Sequence, residues 1–481
     1  MKYSKYHIAL ILIIGTIVFS GCSNPHLLEP PAPGFSDGDI SSVSEANSSN
    51  EVIIENILSE TPEANTSETR LSIKSDIHLQ EIVSELHKAY FQGEMPLFVE
   101  KEPDLIATRA ATFNDSRPVL NATFLPGEVL LPQTNNQNVI DFIQFAISPE
   151  GQKVLIELGA LPESITISDQ KGKKIEILQP VQRVISAYGP TTAMIYSINA
   201  GDRLVAASYL GARDPQGAEA MERIDPRFTE LVSDDFFSQQ EFNLEHAAVL
   251  APDLIIGAMR STWEDSVEQL GIPILLIEAE NSQQLREVML LLGKIFGPHS
   301  YAQAQAWVEY FDWTLETIQG QLEAVHIEDK PRVLFTGTQS LRVASGEMYQ
   351  TTIIETAGGV SVSRDLFGYW NDVNLEQVAV WNPDIIIVPP YGGASVDAII
   401  ENPEWNIVLA AEKGRVYRMP KLVVPWDTPT PDSVLGIIWM AEIVHPELID
   451  LRCANETEYF YKTFYNYALS KDEAINICSE Q

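Results

Sequence analysis

A chain of 481 residues is long enough for about three domains. It is 45% hydrophobic, 9% aromatic and 20% charged, the balance of folded soluble protein, which argues against wholesale disorder and against a multi-span membrane protein. Its 31 Lys and Arg face 67 Asp and Glu, a formal charge of −36, so nucleic acid is a poor partner because its phosphates would be repelled.

The chain opens with Lys2 and Lys5, then an almost wholly apolar run from His7 to Phe19, then Ser20-Gly21-Cys22. This looks like a prokaryotic lipoprotein signal over residues 1–21, with small residues before the cysteine at which a peptidase would cut. The mature chain would then start at a lipidated Cys22, tethered to the membrane outside the cytoplasm. Residues 22–75 follow, rich in Pro, Ser and Asn. Such a stretch buries too little apolar surface to offset its ordering entropy and reads as a disordered tether. Outside the cytoplasm disulfides persist. Cys453 and Cys478 are then either a staple on the C-terminal tail (451–481) or two unrelated thiols. The staple is the expectation, and closing such a loop would contribute roughly 3 kcal/mol.

Residues 76–166 have globular composition. Helical periodicity runs from His78 to Tyr90, and a helix pair is expected over Asn136 to Leu158. The wording from Phe142 through Ser148-Pro-Glu-Gly to Gly159-Ala-Leu-Pro162 resembles the C-terminal lobe of type II solute-binding proteins of ABC importers, the phosphate and molybdate binders. The segment is too short for a whole domain of that kind and its Ser/Thr anion loop is not found. The resemblance therefore implies a small α/β remnant that has lost ligand binding. A remote alternative, oxyanion binding of molybdate or tungstate, would need a site among Thr112, Asn114, Ser116 and Arg117.

From Val181 to Leu451 short β-branched runs alternate with amphipathic stretches. Strands are expected at Arg183–Tyr188, Arg203–Tyr209, Asp253–Met259, Pro273–Ala279, Arg332–Thr338, Asp384–Pro390 and Arg415–Met419. Helices are expected at Thr191–Ala200, Trp263–Leu270, Ser282–Phe296, Thr351–Ala357 and Pro431–Val444. Alternating α and β with apolar strands means α/β architecture with parallel sheets covered on both faces. An internal repeat sets the plan. Phe242-Asn-Leu-Glu-His-Ala-Ala-Val-Leu-Ala-Pro-Asp-Leu-Ile-Ile256 aligns with Val373-Asn-Leu-Glu-Gln-Val-Ala-Val-Trp-Asn-Pro-Asp-Ile-Ile-Ile387. Each copy reads as helix, turn and buried strand. Two copies so far apart mean two similar lobes, 167–297 and 327–450, and not a solenoid. Between them Pro298 to His326 keeps uninterrupted 3–4 apolar spacing. At about 1.5 Å per residue this one helix would be roughly 42 Å long and would limit hinge bending.

These pieces together resemble a class III (cluster A) solute-binding protein of ABC importers, the family of ferric-siderophore, haem and vitamin B12 binders. The pieces are Arg183-Val-Ile-Ser, the two Asn-Leu-Glu…Pro-Asp elements, Leu270-Gly-Ile-Pro-Ile, the long helix, Glu355-Thr-Ala-Gly-Gly-Val and the Leu435–Pro446 helix. The resemblance implies that Glu245 and Glu376 pair with arginines of a membrane permease, one from each lobe. As plain structure, each glutamate would simply favour a helix start.

The ligand cleft should lie at the C-terminal strand ends. There lobe one offers Tyr188, Tyr209 and Arg260, with Trp263 nearby, and lobe two Arg342, Tyr369, Trp370, Tyr391 and Trp426. Aromatic faces suit flat or greasy chelates, and arginines suit anionic groups. No GxxxxGK(S/T), HExxH or GxSxG is present, and the histidines are scattered without ligand spacing, so no catalytic residue, resident metal or cofactor is assigned. The expectation is a monomeric, membrane-anchored, extracytoplasmic binding protein. It would carry an iron or cobalt chelate, a ferric siderophore first, to an ABC permease with its ATPase. Cobalamin and haem binding, a cell-surface sensor and a chelate-processing enzyme on the same fold are the alternatives.

Overall fold

Local signals in the N-terminal part produce a sheet with helices on it. The computed structural model describes residues 70–110, 122–209, 215–232, 237 and 240–479. Cys22, the leader, the tether as far as position 69, and Thr112, Asn114, Ser116 and Arg117 lie outside the described residues. Strands β1 (Ser72–Ser75), β2 (Leu97–Phe98), β3 (Leu105–Arg109), β4 (Ala122–Leu125) and β5 (Glu128–Pro132) form one sheet in the order β2-β1-β3-β5-β4. The β1 pairings are parallel and the β5 pairings antiparallel. Helix Gln80–Tyr90 lies inside the expected start, after a short 3-10 turn at Ile77–Leu79.

The expected helix pair is Gln137–Ile147 and Pro149–Glu157. Asn136 caps the first by accepting from the Asn138 N–H, and Ser148 caps the second by accepting from Gly151 N–H at 3.3 Å. Pro149 sits where a missing N–H costs nothing. Gly151 must be glycine: a Cβ there would run into the Phe145 carbonyl oxygen. Val139, Phe142 and Ala146 face the sheet and are buried, whereas Ile140 faces outward. A hairpin follows, β6 (Ser164–Ser168) paired antiparallel with β7 (Lys174–Leu178). β1 (Ser72–Ser75) lies just before the expected limit at 76, and β6 runs across the one at 166.

Lobe one is a parallel sheet of β8 (Val184–Ser186), β9 (Leu204–Ala207), β10 (Leu254–Ala258) and β11 (Ile274–Ile277), ordered β11-β10-β8-β9. Lobe two repeats the plan with β12 (Arg332–Phe335), β14 (Val360–Ser361), β16 (Ile385–Val388) and β17 (Val416–Arg418), ordered β14-β12-β16-β17, again all parallel. Beside it β13 (Arg342–Ala344) and β15 (Trp370–Asp372) form an antiparallel pair. The strands are shorter than the apolar runs because their last residues turn into the loops that make the cleft.

The joining helix is Pro298–Gln321, 24 residues, about 36 Å at the helical rise. It is shorter than the expected Pro298–His326. Its apolar spacing continues through Leu322 and Val325, but these pack on the core from a turn in which the Leu322 N–H bonds back to Ile318 and Gln319. Trp307, Phe311 and Ile318 on this helix belong to one core shared with both lobes.

The C-terminal tail is not a loose end. Helices Cys453–Phe464 and Lys471–Ser479 pack against each other and are joined by the Cys453–Cys478 disulfide, with Cα atoms 6.0 Å apart. The Trp439 indole N–H donates to the Cys478 carbonyl at 3.1 Å. Tyr465 reaches lobe one through the Ala193 carbonyl at 3.4 Å and lobe two through Asp432 at 2.6 Å.

Candidate ligand cleft and docking face

Residues at the C-terminal ends of the strands meet between the lobes. Tyr188 follows β8, starts the Gly189–Ser197 helix and is buried. Burial pushes its phenol up to about 12, with Glu280 adding to the effect, so it is a neutral hydrogen-bonding group at physiological pH. Arg260 follows β10. Its guanidinium lies 5.9 Å from the Tyr188 ring centroid and 5.8 Å from that of Tyr369, a lobe-two residue just before β15. Within lobe one it also faces Glu280 at 3.5 Å. Burial raises the Glu280 carboxyl above its usual range, Arg260 opposing and Glu278 reinforcing the shift. The two lobes thus touch through a cation held between two aromatic rings, one from each side.

Lobe two contributes a buried polar cluster. Tyr391 follows β16 and donates its hydroxyl to Asp427 Oδ2 at 2.6 Å. The Gln350 amide donates to the same oxygen at 3.0 Å. Asp427 has no exposed surface, and that burial raises its pKa against the two donors. Asp427 Oδ1 and Gln350 Oε1 are both buried with no hydrogen-bond partner. A buried acceptor left open costs free energy unless something fills it. Both acceptors are closed off from the surface in this arrangement of the lobes. Trp370 lies half-buried against Gly337, where a Cβ would press 2.8 Å from the indole. Arg342 is paired with Asp372 across β13 and β15 at 3.9 Å and keeps a half-exposed side chain.

Two expected cleft residues lie elsewhere. Trp426 is fully buried and its indole N–H donates to the Tyr461 hydroxyl at 3.2 Å. It is a core anchor for the loop that carries Asp427, because the tail helix supplies the partner its N–H needs. Tyr209 is also buried, with its ring edge-on to Phe228 at 4.8 Å. Sequence reasoning gives no role to Glu280, Gln350 or Asp427. The only signal is that Asp427 adjoins Trp426 in the Pro-rich loop.

On the outside, Glu245 and Glu376 open the short helices Leu244–Leu250 and Leu375–Trp381. Both are exposed. Both helices are built alike. Asn243 and Asn374 cap them, accepting from the N–H of His246 and Gln377. Ala251 and Asn382 end them at φ 43° and 44°. The Arg183 and Arg332 guanidiniums hold the last carbonyls, of Leu250 and Trp381, at 2.6 and 2.9 Å. Asp253 and Asp384 accept from the backbone N–H of those same arginines, each at 2.9 Å. The sequence repeat is thus a structural repeat that sets one glutamate in the same place on each lobe.

The sequence profile of the family described as periplasmic binding protein matches residues 184–422. Residues 184–422 belong to the periplasmic binding protein family. The two parallel-sheet lobes and the helix between them are the class III form of that fold. Vitamin B12-binding proteins of Yersinia pestis and Yersinia pseudotuberculosis are 29% identical over 213 residues, 44% of this chain and 70% of theirs. A periplasmic solute binding protein from Veillonella parvula superposes with a TM-score of 0.58 at 24% identity, covering 66% of this chain and 96% of its own. The molybdate periplasmic binding protein MolA of Haemophilus influenzae gives a TM-score of 0.57 at 19% identity, over 64% of this chain and 99% of its own. At these identities the two structures establish the two-lobe fold alone. The family places the periplasmic binding protein outside the cytoplasm. Among the described residues no helix is long and apolar enough to cross a membrane, and no group of three or more His, Cys, Asp or Glu could hold a metal ion.

Proposed function

We propose that this periplasmic binding protein captures a metal chelate between its lobes and hands it to an ABC importer, and that the chelate is a corrinoid. The observation that carries the ligand class is a pair of buried acceptors without partners, Asp427 Oδ1 and Gln350 Oε1, which an opening of the lobes would expose to a ligand. A corrin ring is bordered by amide side chains, each offering N–H donors to such acceptors. Its flat apolar body suits Tyr188, Tyr369 and Trp370. The relatedness to vitamin B12-binding proteins supports the same reading. A tris-catecholate ferric siderophore carries net negative charge and would meet Glu278, Glu280 and Asp427. Arg260 and Arg342 are what would favour it, and both already face carboxylates.

Delivery rests on Glu245 and Glu376. Each is exposed and held on a rigid, doubly clamped helix, the preorganisation an ion pair with a permease arginine needs. The N-terminal leader supports a lipid anchor at Cys22, which would keep the protein beside the permease. The test is uptake of labelled cobalamin in cells that depend on this protein. Glu245→Lys or Glu376→Lys should abolish uptake while the purified variants bind cobalamin as the parent does. Unchanged uptake in the double variant would contradict docking through these residues.

A further inference from the structure

The repeat contains nine identities between 242–256 and 373–387, and the fold explains most of them from within. Asn243 and Asn374 cap the helices. Asp253 and Asp384 hold backbone N–H groups. Ile255, Ile256, Ile386 and Ile387 are buried in β10 and β16. Leu244 and Leu375 pack against the cores of their lobes. Pro252 and Pro383 are buried, and Ala379 packs on its core although Ala248 is exposed. Two identities face outward in both copies, Glu245 with Glu376 and Val249 with Val380. Val249 is 81% exposed and Val380 is 78% exposed.

A single exposed valine means nothing, since much of any folded surface is apolar. Recurrence is different. The two lobes keep the same β-branched apolar residue at the same place of the repeat, facing outward in both. The position also has a geometry. Val249 lies four residues after Glu245 and Val380 four after Glu376, so in each helix the two side chains share one face, a turn apart. Each lobe therefore presents the same small epitope, a carboxylate beside an apolar knob.

We infer that Val249 and Val380 are part of the docking surface. The partner face they fit has two symmetry-related sites, each with a cation beside an apolar recess. A dimeric membrane component with a two-fold axis between its subunits has this form. The inference rests on the docking role of Glu245 and Glu376 and adds to it. The charges steer and orient, while the valines supply the contact that resists salt and sets the dissociation rate. Exclusion of water by the valine would also strengthen the adjacent ion pair.

The test uses the full-length protein in cells whose cobalamin uptake depends on it, with surface level and cobalamin affinity of each variant measured alongside. Val249→Ser and Val380→Ser should each raise the amount of protein needed for half-maximal uptake about ten-fold or more, the low end of the scale of one buried valine. The double variant should show the product of the two, and Val249→Leu should stay near the parent. Cobalamin affinity should not move. Glu245→Gln separates the two ideas. If it cripples uptake while both serine variants behave as the parent, docking through the glutamates stands and the role of the valines is overturned. If neither Glu245→Gln nor the serine variants change uptake, docking through this face fails as a whole. Loss in the serine variants alone would keep the valine surface and reject the charges.

Discussion

The guanidinium of Arg260 in lobe one sits 5.8 Å from the ring of Tyr369 in lobe two, with Tyr188 at 5.9 Å on its own side. This contact spans the cleft between the lobes. Cation–π contacts at partly exposed sites are worth about 0.5–1 kcal/mol, so this one biases the lobes toward closure without locking them. Tyr369→Ala should shift the ligand-free protein toward open forms by about two- to five-fold in population. Paired spin labels on the two lobes would read the change as a longer mean distance. An unchanged distance distribution would mean that the long helix alone sets the lobe angle.

Binding in the cleft should be sensitive to pH through Asp427. Burial raises its pKa, and the donors Tyr391 and Gln350 hold it toward the charged form. A ligand that brings N–H donors to Oδ1 favours the carboxylate, so binding releases a proton where Asp427 is protonated. Affinity should therefore fall as pH drops through the raised pKa. Asp427→Leu should weaken cobalamin binding by about ten-fold or more and flatten the pH profile, as read by titration calorimetry.

Two buried groups act on stability in opposite directions. Burial lowers His299 to about 4. The unfolded chain protonates it from its ordinary value downward, so the folded state loses stability as pH falls from about 6.5 to 4. Burial raises Asp432 to about 6 even though Tyr461 and Tyr465 donate to it, each at 2.6 Å. Here the unfolded chain ionises first, so stability is lost as pH rises from about 4 to 6. Each effect is of the order of 3 kcal/mol. Relative to the parent, His299→Gln should gain stability toward pH 4 and Asp432→Asn should gain toward pH 6, measured as urea midpoints across the range.

The disulfide joins cysteines separated by 25 positions in the sequence. Replacing both with serine should lower unfolding free energy by roughly 3 kcal/mol, seen in the denaturant midpoint. The Lys471–Ser479 helix should become protease-sensitive first, because it is the last described element and is held, apart from the disulfide, by the packing of Ala474 and Ile477, the Cys478 carbonyl and the Arg223–Glu473 pair.

Much of this plan is legible in the residues. The repeat announces two lobes, and the apolar runs place all seven expected strands. Ser282–Phe296 matches its helix at both ends. The misses share a cause: the deciding partner lies far away in sequence. Trp426 goes inside because Tyr461, 35 residues on, offers its hydroxyl. Asp427, Gln350 and Tyr391 form a cluster only when separations of 36 and 77 residues close. The tail reads as no more than a stapled end because the Phe460 and Phe464 stripe shows its purpose only against Tyr310 on the long helix. The strands of the N-terminal sheet are about as short as those of the lobes, but no repeat announces them, and partners such as Ser72 and Leu97 are well separated in sequence.

The most direct test of the central claim is a titration of the purified protein, followed by tryptophan fluorescence, with cyanocobalamin, haemin and ferric catecholate and hydroxamate siderophores. Trp370 beside the cleft should be quenched by a coloured chelate. Saturable, submicromolar quenching by cyanocobalamin that is lost in Asp427→Leu is expected. Absence of saturable binding by every chelate in the panel would contradict it.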